Sequence, residues 1–520
     1  MIRFLLRRFV TAIGILFAIS IVTYALLTLA LDPLKDLRES TALNKADLIA
    51  SRTRMLRLND PWYDRYISWL GNLVQGDFGT AWRTGQPVKA LLPGAMATSV
   101  QLVFAATFIA LLIGVTIGVV SALRQYTAFD YAITLVSFVL YALPVFWVAV
   151  LLKEYLAIRM NDYLADPVPN WPFLLALSLI AGLFWTGALG GSLKRRLAIF
   201  LIAFLLTLGL LAGAIMSGWI LNPRLTVVGV AVVGVAAAFL FTILFAGMKN
   251  RRALYSALTM AVLGAILYFP LQYLFVLQAD AMASQVVGSV TLGTILGIGG
   301  ILLTIGIGCL VGWLWGGDDR GVSMRIAAIT GLVVAGTIWV DQLMQWWSIY
   351  FDNPEVRGRP IATIGSVTPG FHENYWLSQI DKATHLVLPT IALVLISFAG
   401  YVRYERGATL EVLSQDYIRT ARSKGLSERV VIVRHALRNA LMPLASIIPV
   451  DIVSLLGGAV ITETIFGWSG MGKFFIDSLA GDMIDPVMIY VMITGALAMA
   501  ANLMADILYG LLDPRIRINA

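Results

Sequence analysis

The sequence predicts an all-α polytopic membrane protein of about twelve transmembrane helices, and three observations carry that prediction. Of 520 residues, 59% are hydrophobic and only 13% charged, against about 25% charged in a soluble domain, and the mean hydropathy is +0.82. Runs such as 9–31 and 225–248 are apolar on all sides and lack the period of two that a lipid-facing barrel strand needs, so the spans are helices. The basic residues stand in short clusters beside those runs, as orientation by positive charge requires. A water-soluble globular protein is excluded. The net charge of +8 therefore reflects membrane orientation rather than nucleic acid, and no nucleic-acid partner is expected.

The first span, 9–31, follows Arg3, Arg7 and Arg8 and imitates a signal peptide. It is longer than a signal's apolar region of about 7–15 residues, so it reads as an uncleaved helix with its N-terminus inside. Eleven further spans follow at 98–121, 131–155, 172–190, 197–218, 225–247, 253–277, 288–316, 324–348, 384–402, 441–465 and 486–511, each long enough to cross a bilayer with some tilt. An even count returns the C-terminus, with Arg515 and Arg517, to the cytoplasm. The turns expected inside carry Arg124, then Lys194-Arg195-Arg196, then Lys249 to Arg252, then Arg320 and Arg325, whereas those near 219–224 and 278–287 hold only Arg224. The stretch 401–440, with eight Lys or Arg against four acids, is the most basic and should face the cytoplasm.

Two long polar segments, 32–97 and 350–383, fall outside, and loops of that length are uncommon without a task. The middle, 172–349, is built from Leu, Ala, Gly, Val and Ile with short turns and holds a dense glycine stretch from Gly293 to Gly312. It reads as a six-helix block inserted into a smaller protein. The expected organisation is a first helix and external segment over 1–97, core helices over 98–171, the inserted block over 172–349, an external loop over 350–383, and the remaining core over 384–520 with a cytoplasmic loop at 403–440.

Within that loop, the run from Leu413 to Arg429 predicts a helix, a break at Gly425 where a left-handed C-cap fits, and a new helix N-capped by Ser427 with Glu428 in its first turn. On charge alone, the segment would do no more than fix topology. Its order of residues says more. The run Tyr417-Ile418-Arg419-Thr420-Ala421-Arg422-Ser423-Lys424-Gly425-Leu426-Ser427-Glu428-Arg429, followed by Arg434-His435-Ala436-Leu437-Arg438-Asn439-Ala440-Leu441-Met442-Pro443, resembles the EAA loop of binding-protein-dependent ABC importer permeases, specifically the dipeptide, oligopeptide and nickel branch. Arg419-Thr420-Ala421 stands where the wider superfamily has Glu-Ala-Ala, and Pro443 lies further from Gly425 than the general pattern; both look typical of the peptide branch.

Other blocks resemble the same branch: the N-terminus through Asp32-Pro33, Trp69-Leu70-Gly71-Asn72 to Gly76-Asp77-Phe78-Gly79, Leu455 to Gly472, and Asn502 to Asp506 with Tyr509 and Asp513-Pro514-Arg515. The resemblance covers about 1–160 and 380–520. It implies a permease subunit forming half of a translocation path for peptides or related small solutes, in a bacterial or archaeal cytoplasmic membrane, with both termini cytoplasmic. It further implies a second homologous permease, two ATP-binding subunits on the inner side that carry the ATP and Mg²⁺, and an extracytoplasmic substrate-binding protein. The chain itself would hold no cofactor and would not be a catalyst. The residues implied in coupling to the ATPase are Asp416, Tyr417, Arg419, Thr420, Ala421, Arg422, Lys424, Gly425, Leu426, Ser427, Arg434 and His435.

Gly467-x-x-x-x-Gly472-Lys473 spells most of a phosphate-binding loop, but Phe474 follows where Mg²⁺ coordination needs Ser or Thr, no strand precedes it, and the topology puts it outside. Ionisable residues inside spans are costly and are functional candidates by default. Asp451 either lines the path or pairs internally; Asp341, Glu154 and Asp506 also fall within spans, Asp506 with Asn502 reading as helix packing or pairing with an arginine. Lys153 and Glu154 adjoin and would satisfy each other or snorkel. Glu463 to Gly472, including Phe466, would form either an outer gate or docking face, or a tight glycine turn. Gly114/Gly118, Gly293/Gly297 and Gly308/Gly312 are pairs that let helices approach closely. Cys309 is alone, which excludes an intrachain disulfide, and His372, His385 and His435 have no metal-ligand spacing. A stand-alone secondary transporter or channel is the rival reading; it predicts related halves, and no repeat relates 1–260 to 261–520.

Overall fold

The structure, a computed structural model, describes residues 2–41, 44–277, 279, 286–287, 290–371 and 373–512. His372, the terminal Asp513-Pro514-Arg515 with Arg517, and the side chain of Asp506 lie outside the described residues. The described chain is helical almost throughout. Ten helices are long and apolar enough to cross a membrane, and two bent pairs bring the total to as many as twelve, so the all-α polytopic fold stands.

In chain order, α1 (Ile2–Ala30) is followed by three short helices, α2 (Lys35–Glu39), α3 (Lys45–Met55) and α4 (Trp62–Val74), and by a two-residue ribbon pairing β1 (Thr80–Ala81) with β2 (Gln86–Pro87). Then come α5 (Val88–Leu123), α6 (Ala128–Ala142) and α7 (Val145–Leu152), which continues through a π turn into α8 (Arg159–Ala165). The middle holds α9 (Trp171–Leu189), α10 (Leu193–Met216), α11 (Thr226–Phe241), α12 (Arg251–Leu277), the ribbon β3 (Val286–Val287) with β4 (Val290–Thr291), α13 (Leu292–Gly316) and α14 (Arg320–Phe351). The last part comprises α15 (Tyr375–Leu413), α16 (Asp416–Ser423), α17 (Glu428–Val430), α18 (Leu437–Ala440), α19 (Met442–Gly458), α20 (Val460–Phe466), α21 (Met471–Ala480) and α22 (Ile484–Leu512).

Two expected spans are not single helices. The run 131–155 bends by 101° between α6 and α7. Pro144 is the cause: it has no N–H, and it forces Leu143 into extended backbone (φ −74°, ψ 128°). The run 441–465 divides at Ala459 into α19 and α20, and α19 leaves α18 at 44°. Pro443 sits in the first turn of α19, where a missing N–H costs nothing.

α5 and α15 form the axis of the fold and pack against each other along their length. Gly114 and Gly118 make this possible: a Cβ on Gly114 would stand 2.7 Å from Tyr401 Cβ, and one on Gly118 2.9 Å from Glu405 Cβ. α13 and α14 approach still more closely, since a Cβ at Gly308 or Gly312 would fall 2.5 Å or 2.3 Å from the Cα of Ala328 or Met324. Gly293 and Gly297 are different. Gly293 abuts the Tyr375 ring and Gly297 meets nothing within 4 Å, so that pair forms no helix groove.

Around the axis, α22 packs on α19 and α1, and α6 and α7 pack on α15. Helices α11 to α14 pack mainly on one another, and α9 pairs with α10. They reach the axis through α9 and α14. Phe129 of α6 meets Phe184 of α9 edge-on at 5.5 Å, α14 touches α15, and the Trp376 indole donates to the Phe275 carbonyl at 3.0 Å. Arg124 closes the α9 end by donating to the carbonyls of Ala188 and Leu189, a cation at a helix C-terminus where the backbone dipole favours it.

Candidate functional site

The hairpin that follows α15 is built by local rules. Gly425 has φ +74° and ends α16 with a left-handed cap: its N–H donates to Arg422 O (2.9 Å), and that of Leu426 donates to Ala421 O (3.4 Å). Ser427 takes the extended N-cap backbone expected of it, but its hydroxyl makes no capping bond. Glu428 turns back across the break instead, accepting from Arg422 at 2.8 and 3.4 Å. Ile418, Ala421, Val431 and Ala436 are buried together against Val412 and Leu413 at the end of α15.

The opposite face is open. Asp416, Tyr417, Arg419, Thr420, Arg422, Lys424, Leu426, Ser427 and Arg434 are exposed there, with Gly425 at the tip, while His435 is half-buried. Tyr417 and Leu426 leave 42% and 39% of their surface uncovered, which sets apolar surface among charges. The Tyr417 hydroxyl accepts from Asn439 (2.8 Å), tying α16 to α18. Ala421, by contrast, belongs to the packed side.

A buried ion pair connects this hairpin end to the core. Arg406, two turns before the end of α15, donates from two nitrogens to Asp130 at 2.6 and 2.8 Å. Asp130 is 2% exposed and also accepts from Ser121 Oγ (2.6 Å) and the Tyr126 N–H (3.1 Å). One carboxylate thus holds α5, α6 and α15 together. Sequence reasoning did not single it out, because Asp130 lay one residue outside an expected span and its partner stands 276 positions away; Thr127, three residues earlier, marks only the N-cap of α6.

At the opposite end, Glu463 is fully buried. It accepts from Ser99 Oγ of α5 (2.5 Å) and from the Lys473 N–H (3.0 Å), while Ser99 Oγ accepts from the Met471 N–H (2.8 Å). Phe466 is 1% exposed and packs with Leu102, Val148, Leu388 and Trp468. Asp451, half-buried on α19, lies within electrostatic reach of the Tyr401 hydroxyl. Lys153 and Glu154 do not satisfy each other: Lys153 donates to Ile465 O (2.5 Å) and Glu154 pairs with Arg159 (3.0 Å). Gly467 to Gly470 form the turn between α20 and α21, and Lys473, in the first turn of α21, pairs with Asp477 (2.9 Å).

The loop after α14 is stitched over this end. Asn161 and Ile361 exchange two hydrogen bonds (2.9 and 3.0 Å), the Gly365 N–H donates to Phe466 O (2.7 Å), and Asp381 accepts from Thr368 and Tyr350. His385, buried beside it, meets the Asp381 carbonyl at 2.8 Å. Within the middle helices, Asp341 is fully buried and accepts from the N–H groups of Leu225 and Thr226, from Tyr268, and from Gln345 and Gln272. Five donors replace water around that carboxylate. Among the described residues no cluster of His, Cys, Asp and Glu is placed to hold a metal ion.

Comparison with known proteins agrees with this arrangement. Residues 114–518 match the family described as binding-protein-dependent transport system inner membrane component, and residues 1–88 match the N-terminal segment of such membrane components. The chain is 25% identical over 517 residues to an oligopeptide transport system permease protein of Bacillus subtilis, covering 99% of this chain and 98% of the relative. It is 40% identical over 155 residues to an oligopeptide transport system permease protein of Mycobacterium tuberculosis (30% of this chain, 48% of the relative). It is 46% identical over 138 residues to a dipeptide transport system permease protein of Escherichia coli (26% and 41%). In those last two matches the chain spans about half the length of the relative. With its spanning helices, its glycine-broken hairpin and a match across most of its length, the chain belongs to the binding-protein-dependent transport system inner membrane component family.

Proposed function

We propose that this protein is one of two transmembrane subunits of an ATP-driven ABC importer for di- or oligopeptides or related small solutes. In this reading it works in a bacterial or archaeal cytoplasmic membrane, with the hairpin end and both termini inside. The observation that carries the reading is the hairpin at 413–440. It is rigid, with a packed inner face and an exposed mixed face, and it continues a 39-residue helix that runs the length of the core. A movement imposed on its exposed face is passed to α15 by Ala421 and Ile418, and from α15 to α5 and α6 by Arg406 and Asp130.

In that mechanism two partner subunits bind ATP and Mg²⁺ and press on Tyr417, Leu426 and the charges around them. The core then rocks between outward- and inward-open states against a second, homologous permease, and an external binding protein delivers the solute. Asp451 is the candidate to face the path. Glu463 and Phe466, being buried, would act by holding the α20–α21 turn rather than by touching solute.

The middle block is read as a peripheral addition. The packing of its helices mainly on one another supports this. Deleting 172–349 and following assembly and uptake tests it.

Co-purification tests the main reading. ATPase subunits should be recovered with the chain and lost when Gly425 or Ala421 is substituted, whereas solute uptake by the lone chain in liposomes would instead establish the secondary-transporter rival.

A further inference from the structure

At the end away from the hairpin, the segment after α1 folds back over the start of α22. Arg83 donates to Gly481 O (2.8 Å) and the Trp82 indole to Asp482 O (3.3 Å), while Tyr66 and Trp69 of α4 dock on Tyr24 of α1 with ring centroids 5.5 and 6.0 Å away. Between these contacts lies a half-open cavity of about 210 Å³. Its floor is Tyr24 and Ile484, the outer ends of two spanning helices. One wall is a helical stripe on α4, in which Arg65, Trp69 and Asn72 recur at the three- and four-residue spacing that shares a face.

The cavity is charged with both signs, and the charges do not neutralise one another. Arg65, Asp77 and Asp485 all line it, yet among the described residues none of the three takes part in an ion pair. They are nonetheless close enough to share a field: the Tyr24 hydroxyl is within reach of Arg65, Asp485 and Arg57, and Asp485 within reach of Asp77. Two buried donors are also left over. Trp69 is 6% exposed and its Nε1–H has no partner, and the Arg65 Nε–H has none either. Both atoms are closed to solvent, so they belong to the cavity's wall rather than to its open space.

The charge pattern selects the ligand class. A simple anion would meet Asp77, Asp482 and Asp485, and a simple cation would meet Arg65, since Arg57 is already paired with Asp60; like charges oppose either one. A molecule carrying both charges satisfies both walls. The volume is below the roughly 300–1,000 Å³ of drug-sized sites, which suits a dipeptide, one end of a longer peptide, or a lipid headgroup.

We propose that this cavity binds a small zwitterion, its oxyanion held by the Arg65 guanidinium and its ammonium by Asp485 and Asp77. The two sources of that chemistry are a peptide's own termini and the phosphoethanolamine headgroup of a lipid. The proposal stands on the cavity and not on coupling to an ATPase, so its failure would leave the importer reading to be judged by co-purification alone.

The test uses the full chain in nanodiscs, with equilibrium binding of labelled L-alanyl-L-alanine. Saturable binding is expected in phosphatidylcholine discs, at least about tenfold weaker in Arg65→Gln and in Asp485→Asn, since each removes a charge-assisted contact, with N-acetyl- and C-amidated dialanine competing poorly. Arg38→Gln, at an exposed pair elsewhere in the segment, should bind as the unaltered chain does. Preferential retention of phosphatidylethanolamine over phosphatidylcholine, lost in the same two variants, would support the site with a lipid as its occupant. Should a variant fail to fold, Arg65→Lys and Asp485→Glu keep the charge and should bind within a few-fold of the unaltered chain. Absence of both dipeptide binding and headgroup preference, or binding that ignores both charge-removing variants, would overturn the proposal.

Discussion

The Asp130–Arg406 pair offers the sharpest test of how the hairpin is joined to the core. Replacing Asp130 by Leu removes the acceptor of four hydrogen bonds and strands Ser121 Oγ, the Tyr126 N–H and the Arg406 guanidinium, whose side chain is 29% exposed. Breaking a buried pair from one side costs about 3–5 kcal/mol, and the partial exposure of Arg406 brings the expectation to the lower end, about 3 kcal/mol. Arg406→Leu leaves Asp130 buried with two donors, at a similar or smaller cost of about 2 kcal/mol. The double Leu variant removes both charges together but still leaves Ser121 Oγ and the Tyr126 N–H without an acceptor, so it should itself cost about 2–4 kcal/mol. It should therefore be more stable than the sum of the singles predicts, by about 1–3 kcal/mol of coupling. The assay is a double-mutant cycle on reversible unfolding in mixed micelles, run beside co-purification with the proposed ATPase subunits. Singles that add to the double within about 0.5 kcal/mol would refute the clamp, since independent sites add to that precision.

Three further outcomes follow from the same geometry. Gly425→Val forces a β-branched residue to φ +74°, at about 1–2 kcal/mol of backbone strain; because no atom crowds the site, hydrogen exchange should quicken over 413–440 alone while global stability holds. Asp341→Leu orphans five donors at about 1–3 kcal/mol for each that stays unpaired. Thermal unfolding should show early melting of the helices around α11 and α14, whereas Asp341→Asn should fall between. Gly312→Leu would place a Cβ 2.3 Å from the Met324 Cα, prising α13 from α14 at a cost above the usual 1–3 kcal/mol of overpacking; cysteine crosslinking between the two helices should fail in that variant and succeed in a Gly297→Leu control.

How much of this was legible in the sequence depends on the range of the interaction. The Gly425 cap could be read because an αL glycine closing a helix is encoded within a few residues. The closeness of α5 to α15 and of α13 to α14 could be read in part, from paired small residues at a four-residue spacing, but the same spacing at Gly293 and Gly297 makes no groove. Spacing puts two glycines on one face and leaves open what that face meets. The bend at Pro144 was passed over because summed hydropathy records that a run is apolar and not that it changes direction.

Hydrophobicity and charge placement alone determined that the chain is a bundle of membrane-crossing helices with a basic, glycine-broken hairpin at one end, since lipid admits few alternatives to a helix. Tertiary structure alone decided which charges matter. Asp130 finds Arg406 across 276 positions, and Glu463 finds Ser99 across 364. Such pairs leave no local pattern, because what holds them is the cost of burying a carboxylate without donors, and that cost arises only once the helices have packed.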